Sequence, residues 1–165
     1  MSASPEALAQ HIPILPKSLH MQPAEARRVR HVLVIDDDHD FAELMKFRLE
    51  KSGRFKVEIA LDPFEAANAL ADHRYDLVVA DCVLQDWDGV TTLENADHLI
   101  DVDPTVMDEW TNIDPVRVVF CSSAPVRLSE LKRANRLKHF SVMGFLPKLS
   151  GLDPICRSVE QLATH

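Results

Sequence analysis

No stretch of this sequence approaches the roughly 20 consecutive apolar residues that cross a bilayer. Its first residues lack a basic start followed by an apolar stretch and a small-residue cleavage site. Neither membrane insertion nor export is expected, and the protein is expected in the cytoplasm. Cysteine is scarce: Cys82, Cys121 and Cys156 are an odd number with no C-x-x-C spacing. That pattern offers neither a disulfide framework nor a zinc knuckle, and the three read as reduced thiols. Positive charge is also short, with 18 Lys and Arg against 26 Asp and Glu and a formal net charge of −8. Proteins that neutralise a phosphate backbone depend on clustered Lys and Arg, so direct binding of nucleic acid is not expected. No short repeat of the solenoid kind is visible.

What is present suffices for one compact core. A chain of 165 residues with 46% hydrophobic content is long enough to bury one core and too short for two independent ones. Residues 1–30 contain four of the ten prolines (Pro5, Pro13, Pro16 and Pro23) and show no sustained period, which predicts a mobile N-terminal extension. Within it, "IPILP" could dock on a surface.

From His31 onward, short apolar runs alternate with amphipathic stretches. "HVLVI" (31–35) reads as a strand, and "DFAELMKFRLEKSG" (40–53) as a helix with Phe41, Leu44, Met45 and Leu49 on one face and Gly53 at its end. "FKVEIA" (55–60) alternates as an exposed strand does. "DPFEAANALADH" (62–73) opens with Asp62 as N-cap, Pro63 in the first turn and Glu65 as the reciprocal capping partner. "YDLVVADCV" (75–83) and "VRVVFCSS" (116–123) are β-branched runs suited to strands covered on both faces. "RLSELKRANRLKHF" (127–140) is a basic helix, "MGFLPK" (143–148) a last strand, and "DPICRSVEQLATH" (153–165) a closing helix. Five strand-helix units in succession predict an α/β fold with a parallel sheet, right-handed crossovers and helices on both faces. Sites in such sheets lie at the carboxyl ends of the strands.

The residues at those ends are Asp36, Asp37 and Asp38 after the first strand, Asp81 after the third, Ser122 and Ser123 after the fourth, and Lys148 after the fifth. Clustered carboxylates stay ionised only where a cation or a lysine compensates them. A hard divalent ion such as Mg²⁺ suits two or three aspartates that leave room for a phosphoryl group. Helix capping alone would also explain acidic residues after a strand, and it is the better account of Asp38. Cys82 and Cys121, beside Asp81 and Ser122, read as buried packing rather than redox sensors.

The acidic pair after "VLVID", "VVADCVLQDWDG" around a single strand-end aspartate, the hydroxyl residue in "VVFCSSA" and the lysine of "GFLPK" together resemble the receiver domain of two-component response regulators. The resemblance runs from about His31 to the C-terminus. It implies a flavodoxin-like (βα)5 fold, strand order 2-1-3-4-5. It also implies that Asp81 accepts a phosphoryl group from a histidine kinase or phosphotransfer protein, and that Asp36, Asp37, Asp81 and the backbone carbonyl of Val83 hold Mg²⁺. Ser122 would bond the phosphoryl oxygen, Lys148 would pair with it, and Phe145 would be the switch aromatic that follows Ser122. The output would be a changed face of the fourth helix, fifth strand and fifth helix that binds a partner protein. On that face the fourth helix offers Arg127, Lys132, Arg133, Arg136 and Lys138, which a solvated surface would also explain.

This chain departs from the family in several places. Gln85 and Leu149 replace prolines usual after the acceptor and after the lysine. The connection 89–116 is longer than a third helix requires and has room for an extra helical turn carrying Val106, Met107 and Trp110; it is either a partner surface or a longer crossover. Val83 and Ala124 cannot position or polarise water, which predicts slow autodephosphorylation. Only about one helix follows Lys148, so residues 31–165 are expected to form a receiver without an output domain, not a conventional enzyme. Two other readings remain: an unphosphorylated receiver-like scaffold acting through its insertion and tail, and a phosphatase of the haloacid dehalogenase kind using Asp36 and Asp38. The phosphatase reading lacks the Gly-Thr-like turn after its second aspartate.

Overall fold

The computed structural model describes residues 28–84, 87–103, 105, 106, 110, 113–124 and 127–164. In chain order its elements are β1 (Arg30–Ile35), α1 (His39–Glu50), β2 (Phe55–Ala60), α2 (Pro63–Asp72), β3 (Leu77–Ala80), α3 (Gly89–Val102), β4 (Val116–Ser122), α4 (Leu128–Ala134), β5 (Phe140–Pro147) and α5 (Leu152–Thr164). A single 3-10 turn, Lys148–Ser150, joins β5 to α5. The strands form one sheet in the order β2-β1-β3-β4-β5, every pair parallel. This is the doubly wound order, with its carboxyl ends converging where β1 and β3 lie side by side.

Alternation along the strands divides the core in two. Leu33, Ile35, Val78, Ala80, Val118 and Phe120 face α2, α3 and α4. Val32, Val34, Leu77, Val79, Val119 and Cys121 face α1 and α5. Because the central strands are covered on both sides, their sequence is continuously apolar rather than alternating. The edge strand β2 does alternate, with Phe55 and Val57 buried and Lys56 and Glu58 exposed.

Local chemistry sets the element ends. Asp38 accepts from the Phe41 N–H and caps α1. Asp62 accepts from the N–H groups of Phe64 and Glu65, with Pro63 next to it where a missing N–H costs nothing. Glu65 reaches back to the Leu61 N–H at 3.0 Å, one residue earlier than a reciprocal capping box places it.

Several elements differ from expectation. The buried stripe of α1 is Ala42, Met45 and Leu49, while Leu44 is 56% exposed. The basic helix ends at Ala134 instead of 140, and β5 starts at Phe140 instead of 143. The cause is Asp97 on α3: its carboxylate accepts from the backbone N–H groups of both Lys138 and His139, holding them out of a helix. β5 carries a bulge, since Val118 pairs with Val142 and Val119 with Gly144.

The long connection is anchored to the core. Thr105, Val106 and Trp110 are helical; Met107 lies outside the described residues. Trp110 is 5% exposed and meets the His139 and Phe140 rings at 5.5 and 6.0 Å, with the Arg74 guanidinium 5.5 Å from its centroid. Residues 1–27 and Gln85 also lie outside the described residues. Within the expected extension to residue 30, Arg30 pairs with Phe55 in the sheet and both Arg28 and Arg30 bind the Asp76 carboxylate. No helix among the described residues is long and apolar enough to cross a membrane.

Candidate functional site

Four strands deliver one polar group or more each to the carboxyl edge of the sheet. β1 ends at Ile35, and the next residue, Asp36, is buried against the sheet at 2% exposure. β3 ends at Ala80 and is followed by Asp81, 6% exposed. β5 runs into Lys148, whose ammonium lies 2.7 Å from Asp36 Oδ2 and 2.6 Å from Asp81 Oδ2. Ser122 closes β4 and is also buried.

Each acid is oriented by backbone as well as by charge. Asp36 Oδ1 accepts from the Asp38 N–H at 3.0 Å, and Asp81 Oδ1 accepts from the Val83 N–H at 3.0 Å. Asp37 joins them: one carboxylate oxygen from each of Asp36, Asp37 and Asp81 lies within 4.8 Å of the others. Three carboxylates therefore face one lysine. Burial pushes the Asp36 carboxyl above its usual range, a shift only partly offset by Lys148 and the Asp38 N–H. Burial works against the Lys148 ammonium, but hydrogen bonds to Asp36 and Asp81 outweigh it and hold the ammonium above its usual value. Each group is what the pair needs from the other, and the pocket as a whole still has more acid than base.

Such a donor set fits a hard divalent cation, which takes carboxylate oxygens and keeps several waters. An acid held partly against ionisation by burial is relieved by a nearby positive charge. The backbone of Val83 reaches the same place, because its N–H is already on Asp81.

The remaining expected residues fall around this centre. Ser122 Oγ accepts from the Ala124 N–H at 3.2 Å and steadies the β4–α4 loop. Phe145 stacks on Phe120 with centroids 5.4 Å apart and rings 11° from parallel. Leu149, in the 3-10 turn where a proline is usual, is 88% exposed. Arg127, Lys132 and Arg136 face solvent, whereas Arg133 turns onto α3 and binds Asp88 and Glu94. Burial pushes the Cys82 and Cys121 thiols up to about 12, in the direction of inert packing rather than reactive thiolates.

Other residues also shape the site. Phe41 places its ring 4.8 Å from the Lys148 ammonium and covers it. Gly89 opens α3 so close to Asp81 that a Cβ there would lie 2.2 Å from the Asp81 backbone oxygen, and its N–H donates to the Cys82 carbonyl. A glycine in the first turn of a helix is a poor helix former, and that local mismatch is the clue the sequence offers. Phe64 and Trp87 meet at 5.0 Å and bridge the β2–α2 and β3–α3 loops.

Comparison with known proteins places the fold. The receiver domain of HemR from Leptospira biflexa aligns at 24% identity and TM-score 0.61, over 82% of this chain and 95% of that one. The response regulator domain of Thermotoga maritima CheB aligns at 18% and 0.60, over 82% and 94%. A CheY-like receiver domain protein from Methanospirillum hungatei aligns at 16% and 0.61, over 82% and 94%. At these identities the likeness shows a shared fold. The sequence profile of the response regulator receiver domain matches residues 32–160. With that match over most of its length, and with the strand order of the fold, the chain belongs to the response regulator receiver domain family.

Proposed function

We propose that this chain is a phosphorylation-activated switch in which Asp81 is the phosphoacceptor. The observation that carries the reading is the buried Asp81 carboxylate, held on Oδ2 by Lys148 at 2.6 Å with two further aspartates within 4.8 Å. A carboxylate oxygen of Asp81 bonds to phosphorus while the donor's P–N bond breaks, the electron pair leaving with the imidazole nitrogen of a histidine kinase or phosphotransfer protein. Asp36, Asp37, Asp81 and the Val83 carbonyl would hold Mg²⁺, which when bound neutralises charge on the acids and on the incoming phosphoryl oxygens. Lys148 then pairs with a phosphoryl oxygen, and the Ser122 hydroxyl donates to another. The added charge of about −1.5 to −2 and its acceptor oxygens bias the β4–α4 loop and Phe145. The exposed cations Arg127, Lys132 and Arg136 are the proposed contacts for an output protein.

Incubation with acetyl phosphate and Mg²⁺, followed by intact mass, tests the reading. One phosphoryl adduct that needs Mg²⁺ and is absent from Asp81→Asn supports it. An adduct that survives Asp81→Asn, or none at all, rejects it, and the absence of any adduct favours the scaffold reading. The side chains of Val83 and Ala124 are exposed and apolar, with nothing to polarise an attacking water. The phosphorylated chain is therefore expected to lose its label slowly, and loss within seconds would contradict this.

A further inference from the structure

Arg133 of α4 turns its guanidinium onto α3 instead of facing solvent alone. Its Nε donates to Glu94 Oε1 at 3.0 Å and its Nη2 to Glu94 Oε2, a forked pair. Nη1 donates to Asp88 Oδ2 at 3.0 Å, and Nη2 also donates to Thr91 Oγ at 2.7 Å. All three acceptors lie on α3 or at its start. A planar guanidinium matched to two carboxylates fixes direction as well as distance, which a lysine cannot do.

Asp88 connects this fork to the acceptor. Its other oxygen accepts from the Thr91 N–H at 2.7 Å and caps α3. Its backbone lies opposite Val83 in an antiparallel bridge, and the Val83 N–H holds Asp81 Oδ1 at 3.0 Å. A continuous path thus runs from α4 through Arg133, Asp88 and Val83 to Asp81, without passing through Ser122 or Phe145. Both carboxylate oxygens of Asp81 are engaged, Oδ1 by Val83 and Oδ2 by Lys148. An oxygen bonded to phosphorus becomes an ester oxygen and a weaker acceptor. Whichever oxygen reacts, one of the two contacts weakens, and the Val83–Asp88 bridge resettles against the Arg133 fork.

We propose that Arg133 is a positioning residue that ties α4 to the acceptor loop in the unphosphorylated chain and so restrains switching through Asp88. The proposal rests on Asp81 being the phosphoacceptor. A restraint that favours one of two states lowers the affinity of any ligand that favours the other, by the free energy of that preference. Its removal should tighten the binding of a phosphoryl mimic.

The test is titration of beryllofluoride in excess Mg²⁺, by calorimetry, into the unaltered chain, Arg133→Gln, Arg133→Lys and Asp81→Asn. Thermal melting of each chain without ligand runs in parallel. Glu94→Gln removes one arm of the fork from a half-exposed position and serves if Arg133→Gln does not fold. The expected result is binding about 5-fold tighter in Arg133→Gln or Glu94→Gln, the low end of ordinary coupling between sites, with Arg133→Lys intermediate. A residue that only holds the fold together would lower the melting temperature without tightening binding. Equal or weaker binding in the variants, with normal binding by the unaltered chain, overturns this proposal alone. No binding by the unaltered chain overturns the phosphoacceptor reading and this proposal with it.

Discussion

The two ends of the sheet treat buried acid in opposite ways. At the carboxyl edge, the buried Asp36 and Asp81 share the ammonium of Lys148, with the more exposed Asp37 carboxylate within 4.8 Å of theirs. At the amino edge, one carboxylate, Asp76, receives Arg28, Arg30 and the His31 N–H, at 3.0, 3.4 and 2.8 Å. The first cluster is short of positive charge and the second has it in excess. The same chemistry therefore makes a site that gains from a cation at one end and a closed structural joint at the other. The hydrophobic supports differ in the same sense. Trp110 closes the amino end with a fully packed aromatic, whereas Gly89 at the carboxyl end keeps a side chain out of the way.

If this contrast is right, changes at the amino edge cost stability and spare the chemistry. Trp110→Ala should lower unfolding free energy by about 3–5 kcal/mol, the usual loss for emptying a large aromatic site, as read by urea denaturation. Beryllofluoride affinity of the folded fraction should stay within about twofold. A tenfold loss of affinity would mean the connection acts on the site after all. Gly89→Ala should do the reverse of sparing the chemistry. Its Cβ cannot fit beside the Asp81 carbonyl, so the loop must shift, and phosphorylation by acetyl phosphate should slow by about tenfold or more. An unchanged rate would show that the close approach of α3 does not position the acceptor.

Matched amide substitutions sharpen the contrast further. Asp36→Asn removes a buried charge that its surroundings oppose, so the ligand-free chain should melt a few degrees higher while Mg²⁺ binding weakens. Asp76→Asn removes a charge that two arginines favour, so it should melt lower with Mg²⁺ binding unchanged. Both variants melting in the same direction would remove the contrast.

The smallest effect is a pH dependence at the α4 fork. Burial alone would raise the Asp88 carboxyl, but the Thr91 N–H and the Arg133 guanidinium outweigh it and hold the acid below its usual value. A carboxyl lowered in the folded state contributes stability that is present above its unfolded value, about 3.9, and is lost as pH falls through the lowered folded value. The stability difference between the unaltered chain and Asp88→Asn should be constant from neutral pH to about 5 and shrink below about 4. A difference that grows on acidification would assign the fork to another group.

Much of the site was legible before the fold was known, because it depends on chain order. A strand that runs into aspartate places that aspartate at the carboxyl edge, and the parallel sheet then gathers Asp36, Asp81, Ser122 and Lys148 whatever the details of packing. The caps at Asp38 and Asp62 are local in the same way, each bonding N–H groups two or three residues on. Where reading the residues in order misplaced something, the deciding partner was distant in sequence. Helical periodicity continues through Lys138, but Asp97, 41 and 42 residues away, accepts the N–H groups of Lys138 and His139 and ends the helix early. Arg133 looks like any cation on a basic helix, and only its acceptors, 39 to 45 residues back on α3, turn it inward.

The amino-acid sequence by itself determined the parallel α/β plan, the caps and the acids gathered at one edge, since period, strand-end chemistry and chain order are properties of neighbouring residues. Tertiary structure alone decided which acids share Lys148, that Trp110 seals the opposite end, and that Arg133 binds the start of α3. Those outcomes depend on burial and on side chains meeting across dozens of residues, where a carboxylate's nearest cation is set by the packing of helices on the sheet.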